Sequence, residues 1–451
     1  MFDIISFVKG VWRRMFPVTT LKQAIGHDIA TSQTMIDRIE LWSSMNKGVA
    51  PWVDDQVKSL RVEKGICREF ANICLTEMES KVSNKKLDDI YKAAIRDLNE
   101  NLQNGLALGS FCIKPLGADK VEYITADKFV PVEYDARGRL IKVVFIQVKT
   151  IGENNYYYRF EYHALDDKGL TITNKAYHTS DLGTLGNEVP ITAVEEWAAL
   201  PPKVFYAGVI KPDFGYYRNP IKNDIDDSPS GISIFDSCIE LIKKTDTQFG
   251  RLDWEFESGE RAIQVSVEAL LPQNKDQRNR VAKLNKRLYK GLPIEDKNGG
   301  DFFNEFSPDI REQNFINGLN AYLRRIEFNS SLAYGDLSDV ADVEKTATEC
   351  RVAKQRKYNM VNAIQDNLKE CLEDLVYALA FYNAMTTQIY TFDCIFHDSI
   401  LTDEETERQQ DRQDVSMGVM SLAEYRSKWY GESLEEAEKN LPEQADTLDK
   451  E

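Results

Sequence analysis

The chain has 451 residues, of which 42 % are hydrophobic and 29 % are charged, and its formal net charge is −17. This length corresponds to about three domains, and 24 glycines with 14 prolines are too few for a long low-complexity protein. The charge excludes a general DNA coat, because such a protein neutralises phosphates with cationic side chains. The seven cysteines include no Cys-x-x-Cys pair, which argues against zinc and a disulfide scaffold and indicates reduced structural thiols.

The beginning of the chain predicts a short amphipathic helix over residues 1–16, which we expect to dock on the body of the protein or on a neighbouring subunit. Its basic residues follow the apolar run, whereas those of a signal peptide precede it. A role at a membrane surface is the alternative. The longest apolar segment, residues 105–113, is far shorter than the ~20 residues that span a bilayer, so we expect no membrane partner.

Residues 18–108 are predicted to be helical, because apolar residues recur there at spacings of three and four. The segments with this spacing are residues 32–47, 60–78 and 87–102. Short β-branched and aromatic segments follow, separated by turns, and they predict an antiparallel β region. The predicted strands are residues 112–115, 121–124, 129–134, 140–149, 156–163, 170–177 and 204–210. Turn sequences at residues 135–138 and 166–169 predict hairpins.

An acidic loop, residues 224–231, precedes a predicted long helix that runs from residue 231 to residue 258. Acidic residues two apart suggest calcium, but an EF-hand loop needs Gly at its sixth position and Glu at its twelfth. Because Pro229 and Phe235 occupy those positions, we interpret the loop as the start of the helix, where proline and acidic groups are favourable. A strand is predicted next, at residues 263–267.

The most unusual segment is residues 273–291, which contains seven basic residues and one acidic residue. Its apolar residues are spaced by three and four, which predicts a short amphipathic helix. A turn at residues 296–300 and a strand at residues 302–306 follow. A second long helix is predicted over residues 311–333, so the basic segment lies in a small α+β insert between two long helices.

An acidic turn, residues 334–342, interrupts the helical pattern after the second long helix. A third long helix is predicted from residue 344 to residue 383, which is about 60 Å at about 1.5 Å per residue. A helix of that length supports several modules or faces another subunit. The tail adds a strand at residues 389–396 and short helices with capping boxes, and residues 402–451 contain 15 acidic and 6 basic residues.

No motif for bond chemistry is present. The chain lacks a Walker A phosphate loop and the Gly-x-Gly-x-x-Gly, His-Glu-x-x-His and Gly-x-Ser-x-Gly motifs, and its four histidines share no ligand spacing. We therefore predict no catalytic residue, no cofactor and no metal site. The alternative of another class is a metal-dependent DNA-processing enzyme that uses Asp224, Asp226 and Asp227, because metal nucleases are often built from scattered carboxylates.

Taken in order, these parts resemble the portal protein of tailed bacteriophages, most of all the branch found in phages of Gram-positive bacteria with long non-contractile tails. Four segments carry the local resemblance, and none of them is catalytic. They are residues 59–78 (SLRVEKGICREFANICLTEM), 226–235 (DDSPSGISIF), 344–349 (EKTATE) and 420–441 (MSLAEYRSKWYGESLEEAEKNL). The resemblance covers nearly the whole chain.

The resemblance implies an α+β portal fold with a wing, a helical stem, an α+β clip, a long wing helix and a short helical crown. On that pattern the parts are wing 1–225, first stem helix 226–260, clip 261–310, second stem helix 311–333, tunnel loop 334–343, long wing helix 344–385 and crown-side region 386–451. It also implies a homo-oligomeric ring, usually a dodecamer, at one capsid vertex of a virion that is assembled in the bacterial cytoplasm.

The same resemblance implies a protein that is not an enzyme. Double-stranded DNA would pass through its channel during packaging and ejection. The terminase large subunit and a head–tail adaptor would dock on the clip, and scaffolding and major capsid proteins would be further partners. Another head–tail adaptor or a minor capsid protein is the second alternative.

Two sets of site residues follow from the resemblance. The tunnel loop would place five residues at the DNA channel: Asp336, Ser338, Asp339, Asp342 and Lys345. Repeated around a ring, acidic loops would repel phosphates and keep the duplex centred; an ordinary solvated loop is the alternative. The basic residues of the clip would contact the motor, the adaptor or the adjacent subunit, with DNA at the exit or a plain solvated helix face as the alternatives. They are Arg278, Arg280, Lys283, Lys286, Arg287 and Lys290.

Overall fold

The computed structural model describes residues 16–266, 289–292, 303–339, 347–396, 404–430 and 432–441. Within these ranges the protein combines helices with mostly antiparallel sheets, which confirms the predicted α+β class. The helix predicted at residues 1–16 lies outside them except for Phe16, and the helix predicted at residues 273–291 lies outside them except for residues 289–291. The prediction is wrong for residues 289–291, because they belong to a strand that pairs with residues 263–265.

Most of the predicted helices are present among the described residues, in the predicted order. They are α1 (Val18–Ile25), α2 (Gln33–Asn46), α3 (Val62–Thr76), α4 (Lys85–Ala94), α5 (Leu98–Leu108), α6 (Ile239–Ser258), α7 (Glu312–Asn329), α8 (Ala347–Tyr382), α9 (Glu404–Ser416), α10 (Leu422–Tyr430) and α11 (Leu434–Lys439). Helix α2 begins where the side chain of Ser32 accepts the backbone N–H of Met35, as expected of an N-cap serine.

The strands form four sheets within the described residues. They are β1 (Met78–Val82), β2 (Ser110–Pro115), β3 (Val121–Thr125), β4 (Phe129–Tyr134), β5 (Leu140–Thr150), β6 (Tyr156–Asp166), β7 (Gly169–Thr179), β8 (Asn187–Val189), β9 (Lys203–Ala207), β10 (Gly215–Arg218), β11 (Ala262–Ser266), β12 (Tyr289–Leu292), β13 (Phe303–Phe306) and β14 (Phe392–Phe396). The largest sheet has the order β4-β5-β6-β7-β8, with β9 also paired to β7.

Both predicted hairpins are confirmed. The turn between β4 and β5 is closed by the Asp135 carboxylate, which accepts the backbone N–H groups of Arg137 and Arg139 at 2.8 Å. Gly138 has φ +77° there, a conformation that glycine adopts without steric cost. In the turn between β6 and β7 the Asp166 carboxylate accepts the N–H of Lys168 at 2.9 Å.

Helix α8 supplies the central apolar stripe of the molecule. Its fully buried side chains include Val361, Ile364, Leu368, Leu372, Leu375 and Leu379. These are the residues whose spacing of three and four predicted the helix. The helix packs against β10 and β2 of the three-stranded sheet β10-β2-β3 and against α3 and α4. It therefore joins the helical block to the β region.

Helices α6 and α7 form an antiparallel pair. Near one end of the pair, Arg311 donates from Nη2 to Glu255 Oε2 at 2.7 Å. Near the other end, Cys238 Sγ lies 3.7 Å from the carbonyl oxygen of Ile326. The three-stranded sheet β12-β11-β13 follows α6 and precedes α7, so a small sheet lies between two long helices in the chain, as predicted.

The first long helix starts later than predicted, and its prediction from residue 231 is wrong. Helix α6 begins at Ile239, after a single turn of 3₁₀ helix. The preceding backbone is bonded elsewhere: the N–H of Ile234 donates to the carbonyl of Leu106 at 3.0 Å, and Asn219 Nδ2 donates to the carbonyl of Ile232 at 2.8 Å. Because the N–H of Ile234 is bonded to α5, it does not donate within a helix, and the backbone at residues 232–234 is held against α5 and the residue after β10.

Two more boundaries differ from the prediction. The helix predicted at residues 87–102 is divided into α4 and α5, and the hydroxyl of Tyr123 donates to the carbonyl of Ala94 at the break, at 2.9 Å. The helix predicted to reach residue 78 ends at Thr76, because Met78 begins β1, which pairs with β14 more than 300 residues later. No local pattern signals so distant a partner.

In the part of the chain that the structure describes, no helix has both the length and the hydropathy required to cross a bilayer.

Candidate functional site

The described part of the predicted acidic turn lies between α7 and α8 and ends at Asp339. Helix α7 stops at Asn329, four residues before the predicted end. Ser331 then adopts the left-handed φ of +63°, which is a common way to terminate a helix. Asp336, Ser338 and Asp339 lie within the described residues, whereas Asp342 and Lys345 lie outside them.

The acidic turn is anchored by a residue that the sequence reasoning missed, Glu327 in the last turn of α7. Its side chain is fully buried. Its Oε1 accepts the backbone N–H groups of Gly335, Leu337 and Ser338 at 3.1, 2.7 and 2.7 Å, and its Oε2 accepts the hydroxyl of Ser338 at 3.0 Å. Four donors thus compensate the cost of burying a carboxylate.

Asp336 is held by a second set of contacts. Its Oδ2 accepts the backbone N–H of Ala333 at 2.9 Å and pairs with Lys357 Nζ of α8, also at 2.9 Å. The same Nζ pairs with Glu69 of α3 at 2.8 Å. The Lys357 side chain is only 8 % exposed, so one buried cation joins the turn to two helices.

Asp339 is bonded to α7 from both its side chain and its backbone. Asn320 Nδ2 donates to Asp339 Oδ2 at 2.8 Å, and the N–H of Asp339 donates to Asn320 Oδ1 at 3.2 Å. Arg324 Nη2 donates to the carbonyl of Asp339 at 3.3 Å. Asp336 and Asp339 therefore both have partners within the protomer.

Apolar and cation–π contacts border the same turn. Leu337 packs against the main core, and its Cδ2 lies 3.9 Å from the point that a Cβ on Gly65 of α3 would occupy. The Arg356 guanidinium of α8 lies 4.5 Å from the ring centroid of Phe328 and 5.2 Å from that of Tyr334. These contacts are of the type that fixes a guanidinium between aromatic rings.

The structure describes one of the predicted basic site residues. Lys290 lies on β12, opposite Gln264 of the parallel neighbour β11, and its side chain is exposed. The others lie outside the described residues: Arg278, Arg280, Lys283, Lys286 and Arg287.

The carboxylates of the alternative enzyme do not form a metal site. Asp226 accepts Asn223 Nδ2 at 2.8 Å and the backbone N–H groups of Ser228 and Ser32 at 3.2 Å. Burial opposes its ionisation, but the hydrogen bonds from Ser228 and Ser32 outweigh burial and hold its pKa below the ordinary value. Among the described residues no three His, Cys, Asp or Glu side chains are placed to share a metal ion.

The interpretation of residues 224–231 as the start of α6 is also wrong, because this loop ends eight residues before the helix.

A cleft of about 200 Å³ opens between the β4–β5 turn, β10 and α8. Its charged lining residues are Arg137, Arg139, Lys211, Arg218, Glu370, Glu373 and Asp374. Lys211 Nζ is paired with Glu373 at 3.0 Å and with Asp374 at 3.6 Å. Four cations and three carboxylates therefore line the cleft, and their charges nearly cancel.

One signal in the sequence could have identified Glu327. An acidic residue in the last turn of a helix is repelled by the negative end of the helix dipole, so its presence there indicates a compensating contact. Lys357 and Glu69 offer no such signal, because they are 288 positions apart in the chain and meet only in the folded protein.

Comparison with known proteins gives one family. The model of the family described as phage portal protein, SPP1 Gp6-like, matches residues 79–450, more than four fifths of the chain. No curated protein matches the chain.

Proposed function

Because the chain belongs to the SPP1 Gp6-like family of phage portal proteins, we propose that copies of it form a ring, usually of twelve, around a channel for double-stranded DNA at one vertex of the capsid. DNA enters through this channel during packaging and leaves through it during ejection. The observation that carries the proposal is the family match over residues 79–450. Assembly takes place in the host cytoplasm.

The proposed parts follow the family pattern. They are the wing (1–225) with its long helix (344–385), the stem (226–260 and 311–333), the clip (261–310), the tunnel loop (334–343) and the crown-side region (386–451). The antiparallel pair α6–α7 supports the stem, and the small sheet β12-β11-β13 between these helices supports the clip. The length of α8, 36 residues, supports its role as the helix that connects the parts.

Exposed apolar side chains on the proposed stem support contact between copies. Trp254 and Phe256 lie in the second half of α6 and are 67 % and 47 % exposed. Ile310, just before α7, is 40 % exposed. A ring closes through heterologous contacts, in which one face of each copy buries a different face of the next. Large exposed apolar residues commonly mark such an interface.

The channel must hold a polyanion without trapping it. DNA carries one charge for about every 1.7 Å of its axis, so a wall of cations would slow its passage. In the proposed channel the acidic residues of the tunnel loop face DNA as a ring and repel phosphates. Among the described residues, Asp336 is paired with Lys357, so the repulsion rests on Asp339 and on Asp342, with Lys345 opposing them.

The clip is the proposed docking platform. The terminase large subunit, which supplies ATP hydrolysis, and later the head–tail adaptor dock there through the basic residues from Arg278 to Lys290. Scaffolding and major capsid proteins contact the rest of the ring. The exposure of Lys290 on β12 supports an accessible basic face. The protomer performs no bond chemistry in this proposal.

Negative-stain micrographs of the purified full-length chain test the proposal. A wide, mushroom-shaped ring with a central opening is expected. A compact single subunit under conditions in which phage shells form normally contradicts it, and a thin ring without a stem indicates a head–tail adaptor. Incubation with DNA and magnesium distinguishes a portal from a metal-dependent DNA-processing enzyme, because a portal leaves the DNA intact.

A further inference from the structure

We propose that residues 332–339 form a strap, fastened to the protomer's own helices by Glu327 and Lys357, and that Glu327, Lys357 and Asp336 are positioning residues for the channel loop. In this proposal Asp336 acts by holding the strap and not by repelling DNA. The inference rests on the proposed function, since it concerns where the loop that faces DNA leaves the body of the protomer.

The contacts of Glu327 show that the strap has one dominant anchor. All four hydrogen bonds that its carboxylate accepts come from strap residues eight to eleven positions later. Gly335 makes this convergence possible, because its φ of +98° turns the chain so that its N–H points back to the helix. A carboxylate that accepts several N–H groups in a buried place binds them strongly.

Lys357 supplies an independent fastening from a different helix. Its ammonium group is buried, and its two carboxylate partners come from the strap (Asp336) and from α3 (Glu69). The removal of one partner from a buried pair leaves an uncompensated charge, which is more costly than the loss of an exposed pair. The strap is therefore tied to α7 through Glu327 and to α8 and α3 through Lys357.

The strap determines where the following residues begin. Its last described residue, Asp339, is bonded to Asn320 and Arg324 of α7, so the end of the strap is held at a fixed point on that helix. A strap that opens moves this point, because both Asp336 and Leu337 lose their contacts with the body. In the proposed ring, these contacts therefore determine where along the channel axis the loop starts.

Repulsion and positioning make opposite predictions for two substitutions of opposite charge. Asp336→Asn removes a negative charge, whereas Lys357→Gln removes a positive charge and leaves Asp336 without its cation. If Asp336 acts by repelling DNA, the two variants change DNA passage in opposite directions. If Asp336 acts by holding the strap through Lys357, both substitutions break this ion pair, open the strap and change DNA passage in the same direction.

The first experiment measures amide hydrogen exchange of residues 332–339 in assembled full-length rings without DNA. Asp336→Asn and Lys357→Gln are each expected to accelerate exchange of the Gly335, Leu337 and Ser338 amides about tenfold. The double variant is expected to equal the more affected single variant, since both changes break one contact. Lys354→Gln, which removes the same charge from an exposed position three residues earlier on α8, is the matched control and leaves exchange unchanged.

The second experiment measures packaged DNA per particle with the same four variants. An equal loss in both single variants, with Lys354→Gln normal, supports the positioning role. Opposite effects of Asp336→Asn and Lys357→Gln, or unchanged exchange in both, overturn it. The exchange measurement needs no DNA, and micrographs of the same samples report on ring formation. Failure of the strap is thereby distinguished from failure of the portal assignment.

Glu327→Gln extends the test to the main anchor. It keeps the size of the side chain but replaces one acceptor oxygen with a donor, so exchange of the Ser338 amide is expected to accelerate more than in Lys357→Gln. Glu327→Asp, which keeps the charge on a shorter stem, is expected to restore part of the protection. If Glu327→Gln does not assemble, the paired result for Asp336 and Lys357 still decides the proposal.

Discussion

The imidazole of His163 is hydrogen-bonded to the carboxylate of Asp213 at 2.9 Å, and both side chains are at most 1 % exposed. The other ring nitrogen lies 3.0 Å from Glu161, and Asp213 also accepts the hydroxyl of Tyr382 at 2.7 Å. Lys114 pairs with Glu161 at 2.6 Å. This buried chain of charges connects the six-stranded sheet to the end of α8.

The His163 network predicts a loss of stability at alkaline pH. Burial lowers the pKa of His163, but the nearby carboxylates of Asp213 and Glu161 outweigh burial and raise the pKa from 6.5 to about 9. Since the folded state binds the proton more tightly, this stabilisation is complete below pH 6.5 and is lost as the pH rises through about 9. His163→Gln is expected to lower the free energy of unfolding by about 3 kcal/mol at pH 6.

Urea unfolding at pH 6 and pH 10 checks this prediction. The difference between wild type and His163→Gln is expected to shrink at pH 10. His27→Gln, at an exposed histidine, is the control and changes little at either pH. Equal differences at both pH values would show that His163 is neutral in the folded protein.

Glu63 predicts a second loss of stability with rising pH, in a lower pH range than that of His163. It is 99 % buried at the start of α3, and neither of its carboxyl oxygens receives a hydrogen bond from another residue of the described chain. Burial, reinforced by Asp246 and opposed by Arg61, raises the pKa of Glu63 from 4.5 to about 7. Folding therefore favours the protonated form, and stability falls as the pH rises from 4.5 to about 7.

Glu63→Gln removes this titration. At pH 8 the variant is expected to be more stable than wild type by up to about 3 kcal/mol, and at pH 4.5 the two are expected to be similar. Thermal or urea unfolding across this range measures the difference. Glu79→Gln, at an exposed glutamate on β1, is the control. A constant difference across the range argues against a protonated Glu63.

Trp254 predicts a role in ring formation. Its exposed indole lies on the second half of α6, so Trp254→Glu is expected to weaken ring assembly about tenfold or more while the melting temperature of the protomer stays the same. Sedimentation over a range of concentrations measures the assembly. Ile389→Glu, at a side chain that is 98 % exposed outside α6 and α7, is the control. Rings that form normally from Trp254→Glu would exclude this face as an interface.

The basic segment predicts docking of protein partners. Charge reversal of Lys283 and Lys286 to glutamate is expected to weaken binding of the terminase large subunit or of the head–tail adaptor about tenfold, with a strong dependence on salt. Binding to purified rings and packaged DNA per particle measure the effect. Reversal of Lys85 and Lys86, an exposed pair on α4, controls for net charge. Unchanged assembly and packaging contradict docking through this segment.

Short-range patterns in the sequence were sufficient for much of the fold. The spacing of Val361, Ile364 and Leu368 predicted a buried stripe, and the structure buries all three. The turn residues Asp135 and Gly138 predicted a hairpin, because the side chain of Asp135 and the left-handed φ of Gly138 close the turn. Such features depend on neighbours within a few positions, so the local sequence contains the information needed to predict them.

Contacts between distant segments had to be seen in the folded chain. The strand β1 exists because β14 pairs with it, and the true start of α6 depends on backbone bonds to Leu106. In the candidate site the family resemblance named Asp336, Ser338 and Asp339 as channel residues, which stays a prediction, and nothing in the sequence named Glu327 or Lys357, which hold them. The roles of Glu327 and Lys357 are visible only in the folded chain, where helix packing brings donors to Glu327 and carboxylates to Lys357. Hydrogen-bond and electrostatic partners depend on distance in space and not on position along the chain.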